Sequence, residues 1–320
     1  MKAFQYATAL TPANARELAG DRGCYIAGGN DLLGLMKEYI AEPDLLVNIK
    51  SLPGLNRITP GAERWILGAN VKVAEIEAHP GLKQKFPALT EAAAEVGSPQ
   101  IRNVATLGGN LAQHSRCWYF RQRDVFCLKK GGDTCFARNG ENKYHSLFTG
   151  NTCISPVVSN LAVALGALEA TVVVQREDEL ARWSIDELYA KAWDNPTAHH
   201  SLASNDLILQ VEIPVAERRS SYLQTSEKSQ FDWALASCAA SAKIIGGKLA
   251  AARVVLGAVS PVPYQVKAVG KLLEGRELSA GLAEEAADLL LKKATPLEHN
   301  AYKVPLAKAL VQRTLMKLGA

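Results

Sequence analysis

Between Thr106 and Cys153 a glycine-centred turn, Thr106-Leu107-Gly108-Gly109-Asn110, leads into a run that carries Cys117, Cys127, Cys135 and Cys153. The interior of that run is loop-like, with Lys129-Lys130-Gly131-Gly132-Asp133 and Arg138-Asn139-Gly140-Glu141-Asn142. A loop this long inside a compact domain needs an internal staple. Four thiolates can supply one by holding an iron–sulfur cluster. Zinc uses the same ligands, but structural zinc sites pair them at close C-x₂₋₄-C spacing. Here nine, seven and seventeen residues separate successive cysteines, so no such pair exists. Spacing alone leaves a cluster, a zinc site and free thiols open. His145, inside the same loop, reads as a solvated or hydrogen-bonded side chain.

The flanking chain sets the context. With 320 residues, 48% hydrophobic and 21% charged, it is long enough for two or three units with proper cores. A net charge of +4, without a dense Lys/Arg block, gives no indication of nucleic-acid binding. No apolar signal region or stretch long enough to span a bilayer is visible, so the expected setting is soluble and cytoplasmic. There, cysteines serve as thiols or metal ligands rather than disulfides. Cys24 and Cys238, in apolar surroundings, read as buried core thiols. His199-His200, in a polar stretch, reads as surface.

Residues 1–57 read as a small α/β unit. A helix over Ala13–Ala19 starts at Thr11-Pro12. The strand Tyr25-Ile26 enters Ala27-Gly28-Gly29-Asn30-Asp31-Leu32-Leu33, and helical spacing runs from Leu32 to Ile40. Strand, glycine loop and helix start together make an anion site from converging N–H groups. By itself a Gly-Gly turn is more often structural. Residues 58–214 read as a second α/β unit, with strands at 65–69, 170–175 and 207–214 and helices at 72–78, 87–96, 160–168 and 184–189. Thr106–Asn110 supplies a second backbone-exposing turn, so two turns in successive units could clamp a diphosphate-bearing nucleotide. From 215 to 320, strands at 221–224, 240–245 and 252–259, with a Gly246-Gly247 hairpin, precede helices at 266–273, 282–293 and 306–318. Strands followed by helices read as α+β.

With these residues laid out, the whole chain resembles the FAD-binding medium subunit of the molybdenum hydroxylase (xanthine oxidase/dehydrogenase) family. Ile26–Leu33 looks like the family's first FAD-pyrophosphate loop and Arg102–Leu111 like its second. Arg253-Val254-Val255-Leu256-Gly257-Ala258-Val259-Ser260-Pro261 resembles the strand opening the C-terminal domain's motif. The cysteine insertion, about residues 114–154, is similar to that of the subtype holding a [4Fe–4S] cluster, found in 4-hydroxybenzoyl-CoA reductases and bacterial aldehyde oxidoreductases. Its short first gap is closer to the aldehyde pattern.

The resemblance implies an α+β chain: a two-subdomain α/β FAD-binding domain of the kind shared with vanillyl-alcohol oxidase-like flavoproteins, then a C-terminal domain of antiparallel sheet and helices. It implies FAD held by Ala27, Gly28, Gly29, Asn30, Asp31 and Leu32 from the first loop. Thr106, Gly108, Gly109 and Asn110 would approach from the second, and Leu207 or Ile208 would pack on a ring face. Cys117, Cys127, Cys135 and Cys153 would ligate the [4Fe–4S] cluster. Two positions depart from the family. Asn160, in Pro156-Val157-Val158-Ser159-Asn160-Leu161-Ala162, replaces the usual Asp. Leu223-Gln224-Thr225 stands where many members have Lys or Arg near the flavin, leaving Lys228 as a substitute. Ser229–Ala234 resembles a segment near the flavin ring in some relatives, although core packing is the plain reading of Phe231 and Trp233.

The implied function is electron transfer, with no catalytic residue of the chain's own. The implied partners are a large subunit with the molybdenum cofactor, a small subunit with two [2Fe–2S] clusters, and an external carrier such as ferredoxin. Export with a signal-bearing partner is compatible with this. Two alternatives accompany that reading: a 4-hydroxybenzoyl-CoA-reductase-type subunit working reductively, and a non-catalytic α/β protein with a structural zinc loop.

Overall fold

The computed structural model describes residues 1–149, 153–177, 179–228 and 231–319. The first unit is built on local signals. β1 (Gln5–Thr8) leads to α1 (Pro12–Ala19), where Thr11 caps the Asn14 N–H and Pro12 starts the first turn. β2 (Gly23–Ile26) feeds α2 (Leu32–Lys37), and β3 (Leu45–Asn48) closes a parallel sheet in the order β1-β3-β2. The strand–loop–helix passage at Ala27–Asp31 thus leaves from the end of β2, beside the sheet's central strand.

The second unit holds β4 (Ile58–Thr59), β5 (Arg64–Gly68), α3 (Val73–Ala78), α4 (Pro80–Lys85), α5 (Pro87–Ala94), α6 (Pro99–Arg102) and α7 (Leu107–Leu111). The cysteine segment follows with α8 (Trp118–Arg121) and two short 3₁₀ turns at Leu128–Lys130 and Phe136–Arg138. Then come α9 (Asn160–Ala167), β6 (Thr171–Arg176), β7 (Glu179–Ser184), α10 (Ile185–Asp194) and β8 (Leu207–Pro214). The sheet runs β4-β5-β8-β6-β7, with every adjacent pair antiparallel, so this unit lacks the parallel crossovers of an α/β sheet. Its closing pairs join residues distant in sequence, Gly68 with Gln210 and Thr171 with Glu212, which no local pattern announces. β7, α4 and α6 lie outside the elements that the sequence indicates; the helix indicated at 184–189 runs on to Asp194 as α10, started by a Ser184/Glu187 capping box.

The third unit is β9 (Arg219–Thr225), β10 (Ala236–Ile245) and β11 (Lys248–Gly257), followed by α11 (Lys267–Leu273), α12 (Ala280–Leu291) and α13 (Lys303–Gly319). The sheet order is β11-β10-β9, antiparallel, with Gly246 and Gly247 at positive φ in the hairpin turn. β10 begins at Ala236, earlier than its sequence indicated, because its first half is small alanine and serine residues with weak strand character. α11 and α13 cover one face of this sheet and α5 and α9 the other. Residues 161–167 of α9 are all buried, as befits a helix apolar on every side and enclosed between units.

Among the described residues, no helix is long and apolar enough to cross a membrane.

Candidate functional site

A cleft of about 550 Å³ opens where the three units meet. Ala27, Gly28, Gly29, Asn30, Asp31 and Leu32 form one wall. Thr106, Gly108, Gly109 and Asn110 form the facing wall, with Asn160 and Ile208 also on the lining. Twelve of the thirteen residues expected to hold a cofactor therefore share one cleft. Lys228, the thirteenth, faces an adjoining chamber of about 370 Å³.

The two glycine loops are pressed backbone to backbone. A Cβ on Gly28 would lie 2.3 Å from the Val104 carbonyl oxygen and 3.0 Å from Ala105 Cα, so only glycine permits the approach. Gly29 takes φ +74, the left-handed conformation that turns the chain into α2. Among the described residues, no intramolecular acceptor meets the main-chain N–H groups of Gly28, Gly29, Asn30, Asp31 or Leu32. Five free donors on a cleft wall are what a diphosphate requires.

The second loop works differently from the expectation of an open, backbone-exposing turn. Gly108-Gly109 lies in the single turn α7, and its amides are spent: Gly108 N donates to Ala69 O at 2.8 Å, Gly109 N to Thr106 Oγ1 at 3.2 Å and Asn110 N to Thr106 O at 2.8 Å. This loop offers close glycine surface and the Thr106 hydroxyl proton. Asn110 is buried and accepts from the Ser159 hydroxyl at 2.7 Å, which fastens the loop to the start of α9.

The Asp31 side chain is a clamp, while its main-chain N–H stays on the cleft wall. Its carboxylate accepts from His114 N at 2.8 Å and lies 2.6 Å from Arg121 Nη2, 2.9 Å from Arg116 Nη2 and 3.0 Å from His114 Nδ1. Burial alone would push this carboxyl up; the His114 bonds and the two guanidiniums hold it well below the usual carboxylate range. Arg121 Nε also donates to Ser115 O at 2.7 Å, and Ser115 Oγ accepts from Cys117 N at 3.0 Å. The first glycine loop and the entrance of the cysteine segment are thus one hydrogen-bonded body.

The far end of the cleft is polar. Asn160 Nδ2 donates to Gln224 Oε1 at 3.0 Å, and Gln224 Nε2 donates to Glu95 Oε2 at 3.1 Å. The two positions that depart from the family pattern, Asn160 and Gln224, are therefore partners. At the mouth, Phe231 and Trp233 are 60% and 50% exposed, so they are not core residues, and the Arg116 guanidinium stacks 4.5 Å from the Trp233 ring centroid. Ser229 and Gln230, from the same expected flavin-side segment, lie outside the described residues. Arg116, Glu95 and His200 also line the cleft, and none of them is among the residues that the sequence indicates. Arg116 carried one sequence signal, its position next to Cys117.

Other expectations need correction. Cys24 is half-buried on the cleft wall rather than a core thiol, whereas Cys238 is fully buried. His199 and His200 are half-buried rather than surface: His199 Nδ1 accepts from Ser115 N at 3.1 Å and its ring lies 4.4 Å from that of His114. Of the two readings of His145, solvated or hydrogen-bonded, the structure shows the second: it is 2% exposed, and its Nε2 lies 3.1 Å from Cys117 Sγ.

Cys117, Cys127, Cys135 and Cys153 line one small cavity of about 20 Å³, too small for an extended ligand. N–H groups converge on the sulfurs: those of Tyr119 and Phe120 on Cys117, and that of Ser155 on Cys153. The buried Lys129 also hydrogen-bonds Cys153 and donates to Ala198 O at 2.7 Å. Burial pushes the Cys117 thiol up to about 12. That value describes a bare thiol; a bound metal takes the thiolate outright. Among the described residues, no three His, Cys, Asp or Glu side chains are placed to hold a single metal ion. Tetrahedral zinc would need its sulfurs within about 4 Å of each other. A cubic cluster binds each cysteine through a different iron and spreads them further apart.

Residues 2–216 match the family described as the FAD binding domain in molybdopterin dehydrogenase, and residues 221–318 match the CO dehydrogenase flavoprotein C-terminal domain. The aldehyde oxidoreductase FAD-binding subunit PaoB of Escherichia coli (strain K12) is 31% identical, over 100% of this chain and 99% of the relative. The nicotine 6-hydroxylase medium subunit of Paenarthrobacter nicotinovorans is 26% identical over 100% and 99%. Carbon monoxide dehydrogenase from Hydrogenophaga pseudoflava, a solved structure, shares the fold with a TM-score of 0.78 at 23% identity, over 99% of this chain and 97% of that one. The chain is therefore a member of the molybdenum hydroxylase family, one of its FAD-binding medium subunits.

Proposed function

We propose that this subunit carries a [4Fe–4S] cluster beside its FAD and passes electrons between partner subunits, which hold the molybdenum cofactor and two [2Fe–2S] clusters, and an external one-electron carrier of the ferredoxin class. The observation that carries the reading is the shared cavity of Cys117, Cys127, Cys135 and Cys153, with N–H donors aimed at its sulfurs and no arrangement for a single ion among the described residues. The same observation speaks against the structural-zinc alternative. The reductive alternative uses the same residues in the same roles, with electrons running the other way. The name of the Escherichia coli relative points to an aldehyde as the substrate class of the complex.

FAD supplies the chemistry that splits a pair of electrons into single ones. This chain's residues position it. The free amides of 28–32 would hold the diphosphate, and Thr106 would donate its hydroxyl. Asn160 and Glu95, bridged by Gln224 behind them, would form a polar end of the cleft, while Trp233 and Arg116 would close its mouth against water. Lys228 would face the flavin from the adjoining chamber, which also borders Cys117. Arg116 and Asn160 line both the cleft and this chamber, and Cys117 lines both the chamber and the cysteine cavity, so the residues proposed for the two cofactors lie on adjoining walls.

Cys127→Ser tests the ligand set. The variant is expected to keep one FAD per chain and to lose most of the about four irons of a cubic cluster, read by flavin extraction and iron analysis. Unchanged iron would show that the cysteine assignment is wrong.

A further inference from the structure

His145 is a buried histidine with one polar contact from its ring. Its backbone is seated by the C-terminal unit: His145 O accepts from Asn300 Nδ2 at 3.2 Å and from Lys303 Nζ at 3.0 Å, and both donors belong to fully buried residues. Its N–H donates to Asn142 O at 2.9 Å. Trp118 and Tyr119 flank the ring, with centroids 5.7 and 6.3 Å away. So held, Nε2 lies 3.1 Å from Cys117 Sγ, while Nδ1 is buried without a partner. A proton on Nδ1 would leave a buried donor unmet and set an Nε2 lone pair against the sulfur. A proton on Nε2 satisfies both sides better.

We infer that His145 is a positioning residue of the electron path, whose Nε2–H donates to the Cys117 sulfur and raises the potential of the cluster that the four cysteines hold. The inference rests on the proposed cluster reading. Hydrogen bonds to ligand sulfurs draw off negative charge and favour the reduced state. The Tyr119 and Phe120 amides do the same from the main chain, but His145 is the side-chain donor at this sulfur. It also borders both the cysteine cavity and the chamber that adjoins the flavin cleft, so the bond lies on the side facing the flavin. Reduction here is the gain of one electron, from dithionite in the test below, with no bond made or broken.

The test is a potentiometric titration, followed by electron paramagnetic resonance, of the full chain purified without oxygen. His145→Phe keeps the ring's bulk and removes the donor; His145→Gln keeps an N–H. At fixed ambient potential, the reduced-to-oxidised ratio is expected to fall about tenfold in His145→Phe, about 59 mV for one electron. His145→Gln is expected to recover at least half of that shift. Full iron content with equal midpoints in all three proteins would overturn the inference and leave the cluster reading standing. Wild-type protein without iron would overturn both. Should His145→Phe fail to fold, ¹⁵N-histidine labelling of the wild type decides: nuclear coupling to the reduced cluster supports the bond, and its absence overturns it.

Discussion

Gly28→Val is expected to purify without flavin. The new Cβ would fall 2.3 Å from the Val104 carbonyl oxygen, a main-chain atom that cannot rotate aside, so the two glycine loops must separate. Overpacking of this kind costs about 1–3 kcal/mol in stability. Displacing five donors by an ångström costs far more in binding, and FAD affinity should drop at least about 100-fold. Flavin content after gel filtration and a fluorescence titration check both. Gly281→Ala, in α12 with nothing near its added Cβ, is the control: it should bind FAD normally and gain up to about 1 kcal/mol of stability.

Asp31→Ala is expected to damage both cofactor sites at once. It strips the shared carboxylate from His114, Arg116 and Arg121, leaving two mostly buried guanidiniums without their counter-charge. Removing one partner of such a group costs about 3 kcal/mol, visible in urea unfolding, and flavin and iron should fall together. The pH dependence has a definite sign. Asp31 titrates lower in the folded than in the unfolded state, so its stabilisation is fully present above the unfolded value of about 3.9 and is lost as pH falls through the folded value. Asp31→Asn should therefore be destabilised at neutral pH and lose less than wild type on acidification below pH about 4. Wild-type stability in Asp31→Asn at pH 7 would remove the clamp from the account.

What the sequence disclosed follows from range. Gly28-Gly29 between a strand and a helix, and Thr106 before Gly108-Gly109, are local patterns, and they locate both walls of the cleft. The four cysteines stand out because a long, aperiodic segment needs a staple. The capping residues Thr11 and Ser184 mark their helices within one turn. By contrast, Asp31 meets Arg121 across 90 positions, and Lys303 reaches His145 across 158. Those contacts arise from the closing of the three units, which no short window records. The antiparallel second sheet escaped for the same reason, since β5 finds its partner β8 nearly 150 residues later. Asp31 shows the difference in kind: its place in the loop was legible, but its role became clear only once two arginines from the cysteine segment were seen around it.

The most direct measurement is a flavin and metal analysis of the purified full chain, alongside its visible spectrum. The account expects one FAD and about four irons per chain, no zinc, and a broad shoulder near about 400 nm that bleaches with the flavin bands on reduction. One zinc per chain with no iron, or a colourless protein, would contradict it.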